Sequence, residues 1–293
     1  MSHRTPLFDR HVSAGGRMVD FAGWEMPVHY SSILDEHKAV RAACGVFDIS
    51  HMGEFFVRGP GVPEWLDILL TNRATNLDIG EAHYTLMLNE RGGIIDDLIV
   101  YRTGEQEFLL IVNAAKIDED FAWLSKHREI SSTRGGDPNS FELLNCSNAY
   151  AALAVQGPRS PEVFANVFSM AWEERRNRIV ELSAVSPSPV QSLQSGACGT
   201  RAFVATTGYT GEKGFEAIVP ADLAGNYWDL FLAAGAKPCG LGSRDTLRLE
   251  MCYPLNGSDL SPDHTPLEAG LGSFVDLTKS AFIGRDALLD QKA

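Results

Sequence analysis

Residues 89–102 read NERGGIIDDLIVYR. Gly92-Gly93 is a turn signal, and Ile94, Ile95, Leu98, Ile99 and Val100 supply the β-branched and apolar residues of a strand. The run predicts a strand leaving a β-hairpin, with Asp96 and Asp97 inside it. Neighbours on a strand point to opposite faces. One aspartate therefore faces the interior while the other faces the turn or solvent. A buried carboxylate is costly unless it is hydrogen-bonded or neutralised, so a protein donor or a ligand is expected beside it. In a second reading both aspartates tie down the Gly-Gly turn, a common use of Asp. Spacing alone leaves both open.

Working outward, 84–88 reads as the partner strand and 107–112 as the next one, followed by a helix over 118–126. Upstream, Ser32 is a candidate N-cap with Asp35 three residues on, and Ile33, His37, Val40 and Cys44 follow at helical spacing. Gly45 is expected to stop that helix. Strands are expected at 46–50 and 54–58, then a helix over 62–70. In the second half, 141–144 and 151–155 read as strands. The stretches 201–206 and 215–219 read as a hairpin, and 222–234, 243–252 and 285–292 as helices. The stretches 131–140 and 185–199 read as polar loops. Gly59-Pro60 and Gly157-Pro158 each lie between a strand and a helix, which hints at two similarly built α+β halves. The chain stops inside a helical pattern, which is the expectation for a fragment.

Composition bounds the function. The 293 residues are 44% hydrophobic and 22% charged, ordinary values for a globular chain with a large core. A net charge of −13 argues against a nucleic-acid partner. No basic amphipathic stretch or long apolar run suggests a membrane, and the N-terminus lacks a secretory signal. The reading is a cytoplasmic protein. Five scattered cysteines without a CxxC suit free thiols in a reducing compartment. Eight dispersed histidines without HxH or HExxH give no metal site. The GxSxG, GxGxxG and GxxxxGK[ST] signatures are absent.

Four further clusters stand out: Phe21–Pro27, Asp48–Glu54, Gly208–Glu216 and Gly240–Glu250. Arg244 sits in the first turn of a helix, against the positive end of the dipole, so an anionic partner is expected unless it is a plain surface arginine. Taken singly, Tyr209 reads as turn filler, Met52 as core and His51 as a hydrogen-bonded structural histidine. Together the clusters describe a site with a buried carboxylate, aromatics and a cation. Such a site suits a flat, nitrogen-rich heterocycle with a carboxylated tail.

The motifs TPLFDRHV, MVDFAGWEMPVHY, GVFDISHMGE, TLMLNERGGIIDDLIVYR, LAVQGP, GYTGEKGFE, GLGSRDTLRLE and TPLEAGLG occur in that order. With them the chain resembles the T-proteins of the glycine cleavage system, tetrahydrofolate-dependent aminomethyltransferases, from about Thr5 to its end. Related iron–sulfur assembly proteins carry KGCYxGQE where this chain reads TTGYTGEKGFE, which favours the transferase branch.

The resemblance implies an α+β fold. It consists of two interleaved ferredoxin-like folate-binding domains of a three-domain cloverleaf, with folate in a central channel and the C-terminal β barrel largely absent. It assigns 5–275 to the folate-binding region and 276–293 to the start of a truncated C-terminal region. It implies tetrahydrofolate as co-substrate and the lipoylated H-protein of glycine cleavage as partner. The lipoyl arm carries the aminomethyl group. Asp97 maps to the essential aspartate that hydrogen-bonds N10 of folate, and Asp96 is left to serve the Gly-Gly hairpin. Glu216 resembles the glutamate on the pterin and Arg244 an arginine that contacts folate. Met52, Tyr84, Asn113 and Tyr209 look like walls of the channel. Thr206 and Lys213 depart from the family's RTGYTGEDGFE and are expected at the hairpin, away from the pterin. The acidic chain leaves docking of an acidic H-protein to a local basic patch. A folate-dependent demethylase of the same superfamily and a non-catalytic folate-binding protein are the alternatives.

Overall fold

The computed structural model describes residues 2–130, 140–172, 174–182 and 198–293. The loops read at 131–140 and 185–199 fall almost wholly outside them. The chain divides into two interleaved α+β units. One comprises Met1–His51 with Ser147–Tyr253, the other Met52–Cys146 with Pro254–Ala293. The segment 276–293 thus packs within the second unit.

In the second unit the hairpin forms as the Gly-Gly signal predicts. Ala82–Leu88 pairs antiparallel with Ile94–Gly104, bringing Leu86 opposite Asp97 and Met87 opposite Asp96. The turn is held by Asn89, whose side-chain oxygen accepts from the N–H groups of Arg91 and Gly93 at 2.9 and 3.0 Å. Asp96 does not serve the turn, contrary to expectation. It is fully buried on the core face, as Leu98 and Val100 are. Asp97 and Ile99 lie half-buried on the other face.

The hairpin opens a five-stranded antiparallel sheet that continues through Glu107–Val112, Gly53–Arg58 and Glu142–Asn145. Helices Val62–Leu69 and Ile117–Lys126 cover it, with Trp65, Leu66 and Leu124 in one cluster with Phe55, Leu98 and Val100. A second cluster joins Leu86, Leu88 and Ile94 to Leu260, Leu271, Phe282 and Leu288. Leu288, on helix Arg285–Lys292, is fully buried there. These apolar clusters supply the main stabilisation, at about 25 cal/mol for each Å² removed from water.

In the first unit a six-stranded sheet runs Ile179–Glu181, Phe203–Ala205, Gly214–Pro220, Tyr150–Gln156, Gly45–Asp48, Lys237–Pro238. Helices Ser160–Phe168 and Ala224–Ala233 pack on it through Phe164, Phe168, Trp228 and Phe231. A small three-stranded sheet contains Arg17–Phe21 and Trp24–His29. None of the sheets closes into a barrel among the described residues.

The helix Ile33–Ala42 is capped as read, with the Ser32 hydroxyl accepting from the Asp35 N–H at 3.1 Å. It ends before Gly45, which instead opens a strand, and a Cβ at Gly45 would meet Val40 and Cys239 at 2.6 and 2.7 Å. The Gly-Pro pairs do mark equivalent strand-to-helix corners. Gly59 and Gly157 adopt φ +130° and +134°, a conformation open to glycine, and each lies against neighbouring backbone. Cys44, Cys239 and Cys252 are free thiols, whereas Cys146 and Cys198 are disulfide-bonded, which corrects the reading of five free cysteines.

Candidate functional site

In the second unit the two aspartates share one amide. The ladder sets Ile99 opposite Ile111, and Asn113 follows directly after the strand end at Val112, beside Asp97. From there Asn113 Nδ2 donates to Asp96 Oδ1 at 2.8 Å and to Asp97 Oδ1 at 3.0 Å, and its backbone N–H donates to Asp96 Oδ2 at 3.1 Å. Tyr84 donates its hydroxyl to Asp97 Oδ2 at 2.9 Å, and its ring meets Phe274 edge-on at 4.7 Å. Asn256 also hydrogen-bonds the Asp97 carboxylate. Burial and the neighbouring Asp96 charge outweigh these donors and push Asp97 up to about 7. Its carboxyl is therefore poised to gain or lose a proton near neutral pH. Met52 lies half-buried at the start of this unit, just before strand Gly53–Arg58.

In the first unit Glu216, Arg244 and Tyr209 gather. Glu216 lies on strand Gly214–Pro220, half-buried, and accepts from the Thr207 hydroxyl. Burial raises its pKa, opposed by that hydrogen bond and by Arg244. Arg244 stands in the first turn of helix Leu241–Glu250, as read. Its guanidinium lies over the Tyr209 ring, 4.5 Å from the centroid, and Tyr209 stacks on Tyr253 at 5.8 Å. Burial lowers the Arg244 pKa, while Tyr209 and Glu216 hold the charge. Glu216 is the carboxylate that favours the Arg244 charge, after Tyr209.

His51 is fully buried in the same unit. Burial and Arg244 push it down to about 4, so it is neutral, and its Nδ1 has no hydrogen-bond partner among the described residues. That differs from the hydrogen-bonded histidine read from sequence. The departures from the motif lie at the hairpin: Lys213 pairs with Glu174 at 2.6 Å, and the Thr206 hydroxyl bonds the Arg175 carbonyl at 2.7 Å.

A family model described as the GCVT N-terminal domain matches residues 7–279. The aminomethyltransferase of Geobacillus kaustophilus is 46% identical over 299 residues, spanning 100% of this chain and 76% of that protein. That of Thermotoga petrophila is 43% identical, spanning 99% and 75%. The crystal structure of the glycine cleavage system aminomethyltransferase T from Bartonella henselae superposes with a TM-score of 0.86 at 34% identity. It is matched over 100% of this chain and 76% of its own. The chain belongs to the aminomethyltransferase family, the T-proteins of the glycine cleavage system. Folate-dependent aminomethyl transfer is the activity class of this family. As an aminomethyltransferase-family α+β chain it spans about three quarters of these relatives.

Sequence reasoning missed Asn256, Thr207 and Asp120. Asp120 carried a signal: on helix Ile117–Lys126 it shares the apolar stripe of Ile117, Phe121 and Leu124. Among the described residues no group of His, Cys, Asp and Glu is arranged to hold a metal ion, and no helix is long and apolar enough to cross a membrane.

Proposed function

We propose that this chain transfers the methylene of H-protein-bound aminomethyl-dihydrolipoate to tetrahydrofolate, releasing ammonia and dihydrolipoyl H-protein. The observation that carries the reading is the Asp97 carboxyl, held by Tyr84 and Asn113 and raised to about 7. Tetrahydrofolate supplies the nucleophile, N5, and a second nitrogen, N10, that must lose its proton as the methylene bridge closes. A carboxylate with a pKa near 7 is matched to taking that proton and passing it on. Its negative charge also stabilises the electron-poor methylene carbon that develops as ammonia leaves. The two N–H protons of folate leave with ammonia and with the dihydrolipoyl thiol, so the reaction balances.

The donor set fits folate. Glu216, half-buried and with a raised pKa, gains from a ligand that offers N–H donors, as the amino group and ring N–H of a pterin do. Arg244 and the Tyr209 face suit a carboxylated aromatic tail or ring edge. Met52, Tyr84 and Asn113 are assigned to folate contacts, and Asp97 to N10. Steady-state assay with aminomethylated H-protein and tetrahydrofolate tests the reading. Methylenetetrahydrofolate and ammonia should form in equal amounts; product from a methylated amine but none from H-protein would replace it with a demethylase.

A further inference from the structure

Asp120 is fully buried on helix Ile117–Lys126, and neither of its carboxyl oxygens has a hydrogen-bond donor among the described residues. Its neighbour is Asp96, equally buried, and the two carboxyls act on each other. Two carboxylates in contact away from water cannot both ionise. The one with more donors keeps the charge. Asp96 accepts from the Asn113 N–H at 3.1 Å and from Asn113 Nδ2 at 2.8 Å, and also from the Asp97 backbone. The other charged groups acting on Asp120 are Glu119, which is repulsive, and Lys116. The Lys116 ammonium is engaged by Glu119 at 2.8 Å. Asp120 is thus the group with an unmet need for a proton.

We propose that Asp120 sits in the fold as a neutral carboxylic acid that donates to Asp96, and that it is thereby a positioning residue for Asp97. With that donor Asp96 stays an acceptor for both Asn113 donors. Asn113 Nδ2, so fixed, reaches Asp97 Oδ1 at 3.0 Å. The ionised Asp96 in turn holds Asp97 in its raised range, since like charge disfavours a second ionisation. The groups facing Asp97 are Asp96, Tyr84, Asn113 and Asn256. The catalytic consequence rests on the reading of Asp97 given above; the proton on Asp120 does not.

Two substitutions separate the roles. Asp120→Asn keeps a neutral donor of the same shape, and Asp120→Leu removes it. Buried Glu54 is held protonated as well, so difference infrared spectra at pH about 8 should show a protonated-carboxyl band in the wild type that is missing in Asp120→Asn but kept in Glu54→Gln. Loss of that band in Asp96→Asn, but not in Asp120→Asn, would put the proton on the wrong residue and overturn the proposal. In kcat/KM against pH, Asp120→Asn should share the wild-type acidic limb. In Asp120→Leu, Asp96 loses one donor and keeps those of Asn113, so its pKa rises, Asp97 faces less negative charge, and the limb moves down by up to about one pH unit. An unmoved limb with the infrared result intact would overturn the positioning role alone.

Should Asp120→Leu not fold, unfolding of wild type against Asp120→Asn decides. A carboxyl protonated in the fold and ionised in the unfolded chain makes stability fall as pH rises above about 4. The asparagine variant should fall less steeply, and equal slopes would overturn the proposal. An inactive chain would remove the proposed reaction but leave the infrared and unfolding results standing.

Discussion

Tyr84 reaches Asp97 diagonally across the hairpin ladder, its hydroxyl 2.9 Å from Oδ2 although its paired residue is Ile99. On one face of an antiparallel pair such diagonal neighbours are within reach of long aromatic side chains. The relationship fixes which side chains share the Asp97 face of the strand. Asp97 shares a face with Ile99 and Tyr84, while Asp96 points the other way, into the core.

Replacing Asp97 with Asn should leave the fold and folate binding in place, because the amide keeps the shape and can still accept from Tyr84. Loss of an acid–base group should lower kcat by about 10²–10⁴-fold. Folate titration by calorimetry alongside methylenetetrahydrofolate production checks it; near wild-type turnover would remove Asp97 from the reaction.

Tyr84→Phe removes a donor that favours the ionised form of Asp97. The base form is the active one, so activity rises with pH through that pKa. Without the hydroxyl the pKa climbs further. The acidic limb of kcat/KM should therefore move to higher pH, by about one unit for a hydrogen bond to a charged group. A limb that stays put or moves down contradicts the assignment.

Glu216→Gln should weaken folate rather than slow the chemistry. Loss of hydrogen bonds to a carboxylate, about 1.5–3 kcal/mol, should raise the folate KM by about tenfold or more while kcat changes little. Lys213→Asp serves as the control. Lys213 is bound to Glu174 at the surface, so the folate KM should be unaffected.

Asp48 anchors the first unit. Its buried carboxylate takes hydrogen bonds from Thr5 at 2.6 Å, His11 at 2.8 Å and the Ser50 N–H at 2.9 Å. Burial opposes its ionisation, but His11, Ser50 and Thr5 outweigh that and leave the pKa lowered. A lowered folded-state pKa gives stability that is present above the unfolded value and lost as pH falls through the folded one. Acid should thus unfold the chain below about pH 4 partly through this group, and Asp48→Asn should flatten that dependence. Asp48→Ala leaves the buried His11 ring nitrogen without its acceptor and should cost about 1–3 kcal/mol in urea unfolding at neutral pH.

Much of the fold was legible locally. The Gly-Gly hairpin, the Ser32 cap and the helix Arg285–Lys292 formed where turn, cap and periodicity signals stood. The end of the Ile33–Ala42 helix was misplaced because Gly45 serves close packing against Val40 and Cys239, a contact from distant chain. In the site, Tyr209 and Arg244 come together as their motifs suggested. Asp96 was misread because period-two alternation says that neighbours diverge, not which of them faces the core.

By itself the sequence determined the elements and the family, since turns, caps, periodicity and ordered motifs are properties of contiguous residues. Only the tertiary structure decided the roles within the acidic pair. Burial of Asp96 follows from the helix that covers its face and from the Asn113 donors at the end of a neighbouring strand. The raised pKa of Asp97 follows from its own desolvation and then from the neighbouring Asp96 carboxylate. Desolvation and charge coupling depend on what lies within a few ångströms in space, and that neighbourhood exists only once the strands have paired.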